Sequence, residues 1–347
     1  MIQGHGDDRY RFQREIRADF SSNVYAHVDL KDLLSHLGKR LEVVGRYPEP
    51  EPYTLEKALA AQLGIDPAAV CVTAGATEAI YLTAHAFAGS NSTILQPTFS
   101  EYADACRLYR HTIYDERTMR CPVKPGMTKG EPGGTIVWLC NPNNPTGKVV
   151  LKEQMTKAVK ANPETIFVID QSYGFFTQAP LLSAAEAAGY PNVIQLHSMT
   201  KRYAMPGIRL GYVTAHPALI ERIRAVRMPW SVNAIAIEAG LYLTRHPDTA
   251  PIDLKALLTE TQRLLDQLNT VPGLTAEPTQ THFFLCRLAK GRASELKQRL
   301  VEEYAILIRD ASNFEGLDEH CFRIATQTHE ENDRLVEAIQ TILKDNG

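Results

Sequence analysis

Gln195–Gly211 reads QLHSMTKRYAMPGIRLG. An apolar, β-forming run, Asn192–His197, leads into it. Ser198, Thr200, Lys201 and Arg209 then fall within twelve residues, and Pro206 and Gly207 interrupt any continuing element. Hydroxyls, a lysine and an arginine such as Arg209 in a constrained loop after a strand suit an anionic group beside an amine nucleophile. Such an amine reacts only in its neutral form, so the fold must lower its pKa. A lone lysine is more simply a solvated charge, and the neighbouring segments must decide.

Outward from that stretch, short apolar runs alternate with longer helical patterns. Strands are expected at Val70–Thr73, Thr93–Gln96, Thr135–Cys140, Thr165–Asp170 and Asn192–His197. Helices are expected at Ala76–Ala88, Ser100–Tyr109 and Lys152–Ala161. This alternation predicts an α/β protein with a mostly parallel sheet between helices. Continuous apolar runs such as Ile136–Leu139 fit strands buried on both faces. Beyond Pro229 the pattern changes. Helices at Val232–Thr244 and Leu254–Leu268 precede strands at His282–Leu288, Ile306–Arg309 and Cys321–Ala325, with helices at Ala293–Glu303 and Glu330–Lys344. That tail reads as a smaller α+β domain. The expected division is an N-terminal arm, 1–45, joining the small domain; a large domain, 46–248; and a small C-terminal domain, 249–347.

Three further segments follow expected strands, where open α/β sheets bind ligands. Asn141–Gly147, NPNNPTG, is a tight turn that can present Asn144 to a ligand, although asparagines also satisfy turn backbone. Thr165–Tyr173, TIFVIDQSY, ends an apolar strand on Asp170 with Tyr173 three residues on; a carboxylate there needs a cation or strong donors unless it caps a helix. Thr73–Glu78, TAGATE, leaves backbone N–H groups open at a helix start, which suits phosphate. It matches neither glycine fingerprint of nucleotide-binding loops.

The chain has 347 residues and a formal net charge of −3, which argues against a nucleic-acid or anionic-membrane surface built on bulk charge. No apolar run approaches a membrane span. The first twenty residues are charged without an apolar stretch, which reads against a signal peptide. Cys71, Cys106, Cys121, Cys140, Cys286 and Cys321 form no C-x-x-C pair and read as buried, reduced thiols of a cytoplasmic protein. The histidines show no metal-ligand spacing, so no metal is expected.

The four segments in this order resemble the pyridoxal-phosphate enzymes of fold type I, the aspartate-aminotransferase superfamily. Tyr47–Pro48, Ala74–Glu78, Pro97–Tyr102, Asn141–Gly147, Asp170–Tyr173 and Ser198–Tyr212 carry the likeness. The resemblance implies a PLP-dependent transferase fold with a seven-stranded, mostly parallel sheet. It implies that Lys201 forms the aldimine with pyridoxal 5'-phosphate, that Asp170 pairs with the pyridine nitrogen, and that Asn144 and Tyr173 hold the phenolic oxygen. Phe99 would stack on the ring. Ala76, Thr77, Ser198, Thr200 and Arg209 would grip the phosphate, with Tyr47 reaching it from a neighbouring subunit of a homodimer with shared sites. Arg323 would bind the substrate carboxylate, Arg309 a phosphorylated substrate, and Asn23 would lie near the substrate.

Two branches compete: L-threonine-O-3-phosphate decarboxylase and histidinol-phosphate aminotransferase. DFSSN, RYPEPEPYTLEKALAAQLGI and PTFSEY look more like the decarboxylase branch, although Asn23-Val24-Tyr25-Ala26 stands where Asn-Pro-x-Gly is usual. The expected substrate is a small phosphorylated amino acid. A silent binding protein that kept the fold, or a nucleotide-binding α/β protein, are the readings of other classes. The full set of Lys201, Asp170, Tyr173, Asn144 and Arg209 weighs against the first, and the absent glycine fingerprint against the second.

Overall fold

The computed structural model describes residues 6–116 and 135–345. In chain order its strands are β1 (Ala18–Asp19), β2 (Val70–Thr73), β3 (Asn91–Leu95), β4 (Thr112–Glu116), β5 (Thr135–Cys140), β6 (Thr165–Asp170), β7 (Val193–Ser198), β8 (Gly211–Ala215), β9 (Leu274–Ala276), β10 (Phe283–Leu288), β11 (Ile306–Leu307), β12 (Arg309–Asp310) and β13 (Cys321–Ala325).

A seven-stranded sheet runs in the order β2-β8-β7-β6-β5-β3-β4. All its pairings are parallel except those of β8, which runs against both β2 and β7. Its strands are covered on both faces. In β5, Ile136, Trp138 and Cys140 enter one apolar cluster while Val137 and Leu139 enter another. In β6, Val168 joins the first and Phe167 and Ile169 the second. Double-sided burial removes the polar alternation of a half-exposed strand and explains the unbroken apolar runs. Each such side chain contributes about 1.5–3 kcal/mol by leaving water.

The parallel arrangement has a functional consequence. Thr73, Cys140, Asp170 and Ser198 end their strands at one edge of the sheet, and the antiparallel β8 starts there, with Gly211 opposite both Thr73 and Ser198. The loops after those strands therefore converge.

The second sheet is antiparallel, in the order β12-β13-β10-β9. Leu264, Leu268, Leu296, Leu300, Leu335 and Ile339, from the helices Leu254–Leu268, Ala293–Tyr304 and His329–Asp345, bury it on one side. The N-terminal arm is tied to this unit. β1 pairs in parallel with β11, Phe20 N donates to Leu307 O at 2.8 Å, and Ala325 N donates to Phe20 O at 3.0 Å. Further along, Leu33 and Leu37 pack with Leu55, Leu59, Val70 and Val72 beside the large sheet.

Two strands of the large sheet, β4 and β8, were not expected from sequence. The run expected at Ile306–Arg309 is broken at Ile308 into β11, which pairs with β1, and β12, which pairs with β13. Cys71, Cys106, Cys140, Cys286 and Cys321 are buried free thiols, and Cys121 lies outside the described residues. No helix among the described residues is long and apolar enough to cross a membrane.

Candidate active site

At the edge where the strands end, the helix Ala76–Ala86 begins from Gly75. Gly75 has φ +87, and a Cβ there would lie 2.7 Å from Arg209 Nη2. Only glycine holds that conformation without strain and leaves the guanidinium room. Arg209 is itself at φ 57, and its Nη1 donates to Pro206 O at 3.3 Å. Gly211 is equally tight: a Cβ would meet Ala76 N at 2.8 Å. The backbone amides of the helix start, Thr77, Ser198 and Arg209 thus surround one end of a cavity. N–H groups, a hydroxyl and a guanidinium together favour a phosphate-sized anion.

The Asn141–Gly147 loop divides its asparagines by task. Asn141 exchanges two bonds with the Val150 backbone, at 2.8 and 2.9 Å. Asn143 donates to Pro97 O and Thr146 Oγ1, each at 2.9 Å, and accepts from Thr98 Oγ1 at 2.9 Å. These two hold the turn, which contains cis peptide bonds before Pro142 and Pro145. Asn144 faces the cavity, and its Oδ1 accepts from Arg323 Nη1.

Asp170 is 3% exposed. Its carboxylate accepts from Tyr102 Oη at 2.7 Å and from Ser172 N at 2.8 Å. Burial pushes its pKa up; those donors and the Lys201 charge pull the other way. Among the described residues no ion pair is formed by this carboxylate in the protein itself, so it is poised for a cation in the cavity. Tyr173 packs edge-on against Phe283, with ring centroids 4.9 Å apart. Burial holds its phenol protonated, and the nearby Arg323 charge opposes that effect.

Lys201 lies just beyond β7, in the short helix Met199–Arg202. Desolvation, then the charges of Arg323 and Arg209, bring its ammonium down to about 8; Asp7 and Asp170 oppose the shift. A neutral amine is thus accessible near physiological pH, as a nucleophilic lysine requires.

The opposite end of the cavity carries two arginines. Arg309 and Arg323 are directly paired across β12 and β13. Arg323 Nη2 donates to Ser21 O. Arg309 Nη2 donates to Asn313 Oδ1 at 2.8 Å, and the guanidinium lies 5.2 Å from the Phe314 ring centroid. Burial, and for Arg309 also the charge of Arg323, lowers each to about 10. Asn23 lies against Tyr173, and Thr200 Oγ1 has no hydrogen-bond partner among the described residues.

The cavity therefore collects Asn23, Ala76, Thr77, Phe99, Asn144, Asp170, Tyr173, Ser198, Thr200, Lys201, Arg209, Arg309 and Arg323, every residue expected at the site except Tyr47. Tyr47 sits on the surface, 86% exposed, with its ring centroid 5.6 Å from that of Trp230. Sequence reasoning gave Tyr102 no role of its own, although it stands three residues after Phe99; the two ring centroids lie 5.9 Å apart. Gly6, Asp7 and Phe314 also line the cavity and were missed. They reach it through long-range packing, which leaves no local motif. Among the described residues no cluster of His, Cys, Asp or Glu is arranged to hold a metal ion.

Fold and cavity together define a fold type I enzyme, and the chain belongs to the aminotransferase class I and II family, which residues 17–339 match. More particularly, it is similar to the crystal structure of L-threonine-O-3-phosphate decarboxylase from Porphyromonas gingivalis. The two share 38% sequence identity with a TM-score of 0.88, over 94% of this chain and 99% of that one. It is 28% identical to threonine-phosphate decarboxylase of Salmonella typhimurium over 94% of this chain and 91% of the relative. It is 29% identical to histidinol-phosphate aminotransferase of a Thermoanaerobacter species over 86% and 85%.

The family depends on pyridoxal phosphate, and the residues present fit that group. A buried carboxylate with no ion pair among the described residues, a buried hydroxyl at Thr200 without a hydrogen-bond partner, an anion cradle that a Cβ at Gly75 would fill and a lysine with a lowered pKa surround one cavity.

Proposed function

We propose that this enzyme decarboxylates L-threonine O-3-phosphate to aminopropanol phosphate, the linker used in cobalamin side-chain synthesis. The observation that carries the reading is the pair Arg309 and Arg323, side by side on one wall of the cavity that holds Lys201. A small molecule with a carboxylate and a phosphate needs two cationic partners, and guanidinium groups match both anions. The 38% identity to a structure named for this reaction supports the same reading.

Pyridoxal phosphate, when bound, supplies an aldehyde and an electron-withdrawing ring that accepts a bonding pair from the substrate's Cα. The chain's residues divide the remaining work. Lys201 offers a neutral amine and afterwards moves protons at Nζ. Asp170, positioned by its bonds from Tyr102 and Ser172, would hold the pyridine nitrogen's proton. Asn144 and Tyr173 would hold the phenolic oxygen, and Phe99 would lie on the ring face. Ala76, Thr77, Ser198, Thr200 and Arg209 would take the cofactor phosphate. Arg323 and Arg309 would orient the substrate's anionic ends, with Asn23 beside them. Orientation decides whether the carboxylate or the hydrogen on Cα is set to leave.

The reading includes a homodimer. Tyr47, Trp230, Met228 and Val44 are large apolar groups exposed on one chain, a surface suited to a second copy. Tyr47 would serve the partner's phosphate site. The buried free thiols fit a reducing, cytoplasmic setting.

The test is to mix cofactor-loaded protein with L-threonine O-3-phosphate, with and without 2-oxoglutarate, and follow products by mass spectrometry. Carbon dioxide and aminopropanol phosphate, independent of 2-oxoglutarate, are expected. Glutamate formed from the phosphorylated donor without carbon dioxide would overturn the decarboxylase in favour of a transaminase, and the same assay with histidinol phosphate would then identify it.

A further inference from the structure

Gly6 and Asp7 line the same cavity as Lys201, Arg309 and Arg323. Neither belongs to a helix or strand, so side-chain and backbone contacts must hold them. On the cavity side, Asp7 N donates to Ser21 Oγ at 2.8 Å. Gly6 lies so tightly that a Cβ there would fall 2.3 Å from Ser21 O and 3.3 Å from Arg323 Nη2. The same Ser21 carbonyl accepts a bond from Arg323. The Asp7 carboxylate is turned to Arg9 Nε at 2.6 Å, and Arg9 Nη2 reaches Asp19 at 2.8 Å. The negative charge that would oppose an incoming anion is thereby occupied.

Asp8 turns the other way. Both its carboxylate oxygens accept from Lys297 Nζ, at 2.8 and 2.6 Å. The two side chains are only 5% and 11% exposed. Lys297 stands on the helix Ala293–Tyr304 beside Leu296, Leu300 and Val301, and its ammonium also faces the Phe12 ring at 5.6 Å. A buried ion pair adds little net stability, because desolvation offsets the attraction; apolar side chains would serve the helix equally well. What the pair does add is a unique position for the segment.

We infer that Asp8–Lys297 is a latch that fixes Gly6–Asp7 as a wall of the substrate site and, through Ser21, sets the Arg323 guanidinium for an anionic amino-acid substrate. Lys297 is then a positioning residue remote from the reacting atoms. The inference rests on the reading of this cavity as the substrate site.

Lys297→Met, Asp8→Asn and Gly6→Ala test it in the cofactor-loaded protein. The KM for L-threonine O-3-phosphate should rise about tenfold or more with kcat little changed, because one wall that binds the substrate is loosened while the groups at the reacting atoms stay. Lys297→Arg should recover part of the loss. The cofactor absorbance band should stay near wild type, while Tm should fall in Lys297→Met and Asp8→Asn, where one member of the buried pair is left without its partner. Trypsin should cut faster at Arg9 and Arg11 in all three variants, read by mass spectrometry without substrate. Unchanged KM and unchanged cutting would overturn the latch, as would a loss confined to Tm and cofactor content. If the wild-type protein turns over no phosphorylated amino acid, the proposed function fails, while the cutting rates still decide the latch.

Discussion

Arg309 and Arg323 face each other as a register pair between β12 and β13, two buried guanidinium groups on one cavity wall. Burial lowers each arginine to about 10, and the Arg323 charge adds to the effect on Arg309. Asn144 Oδ1 and Ser21 O hold Arg323 in place, and Asn313 and Phe314 hold Arg309. Arg309→Ala should therefore weaken kcat/KM for L-threonine O-3-phosphate by about 1.5–3 kcal/mol, the value of one charge-assisted contact. L-Threonine, which lacks the phosphate, should lose far less. Equal losses for both would remove the phosphate role.

Lys201 gives a pH prediction with a definite sign. Its ammonium is lowered to about 8, mainly by burial and then by Arg323 and Arg209. The neutral amine grows as pH rises through that value. Covalent loading of the cofactor-free protein should accelerate with pH and level off above about 8. Arg209→Gln removes a positive charge, so its half-point should move to higher pH. A half-point that stays put or falls would contradict the charge assignment. Lys201→Ala should fold with unchanged Tm yet show no covalent cofactor band.

Tyr102 connects the fold to the site. Its hydroxyl donates to Asp170 from full burial, and its ring stacks near Trp138 at 5.8 Å. Tyr102→Phe keeps the packing and removes one donor from a buried carboxylate, at a cost of about 1–3 kcal/mol. The lost bond favoured the ionised acid, so the pKa of Asp170 should rise further. Cofactor affinity should fall, and fall more as pH is lowered. An unchanged Kd between acid and neutral pH would show that Asp170 does not depend on this bond.

Gly75 tests the anion cradle. At φ +87 and ψ 168 it occupies a region essentially closed to other residues, and an added methyl would also strike Arg209. Gly75→Ala should cost about 1–3 kcal/mol of stability and displace the guanidinium. Cofactor affinity should drop more than Tm implies. Unaltered affinity would separate Arg209 from the phosphate.

Much of this was legible because its signals are local. β5, β6, the helix Lys152–Ala161 and the helix Leu254–Leu268 begin and end where apolar runs and breakers place them. The segments around Asn144, Asp170 and Lys201 each follow a strand, and parallel pairing brings those strand ends to one edge without further information. β8 escaped notice because it starts on a glycine and follows the lysine loop directly. β4 pairs at the sheet edge and has no strong apolar run to mark it. Asp7 and Phe314 reach the cavity from distant parts of the chain, and no spacing encodes such meetings. Asn144 was singled out among the three asparagines of the turn, and the structure shows what the other two do: Asn141 and Asn143 hold the turn, while Asn144 lines the cavity.

Tyr47 provides the sharpest test of shared sites, because it is absent from its own chain's cavity while every other expected residue is present. In a two-fold dimer, each site would take Lys201 from one chain and Tyr47 from the other. Tyr47→Ala and Lys201→Ala proteins should each be strongly impaired. Refolding them together from an equal mixture should regenerate roughly a quarter of the wild-type sites, because random pairing makes half the dimers mixed and each of those holds one intact site. Size exclusion should show a dimer throughout. If Tyr47 instead acted within its own chain, every mixed site would lack one residue or the other, and mixing would restore nothing.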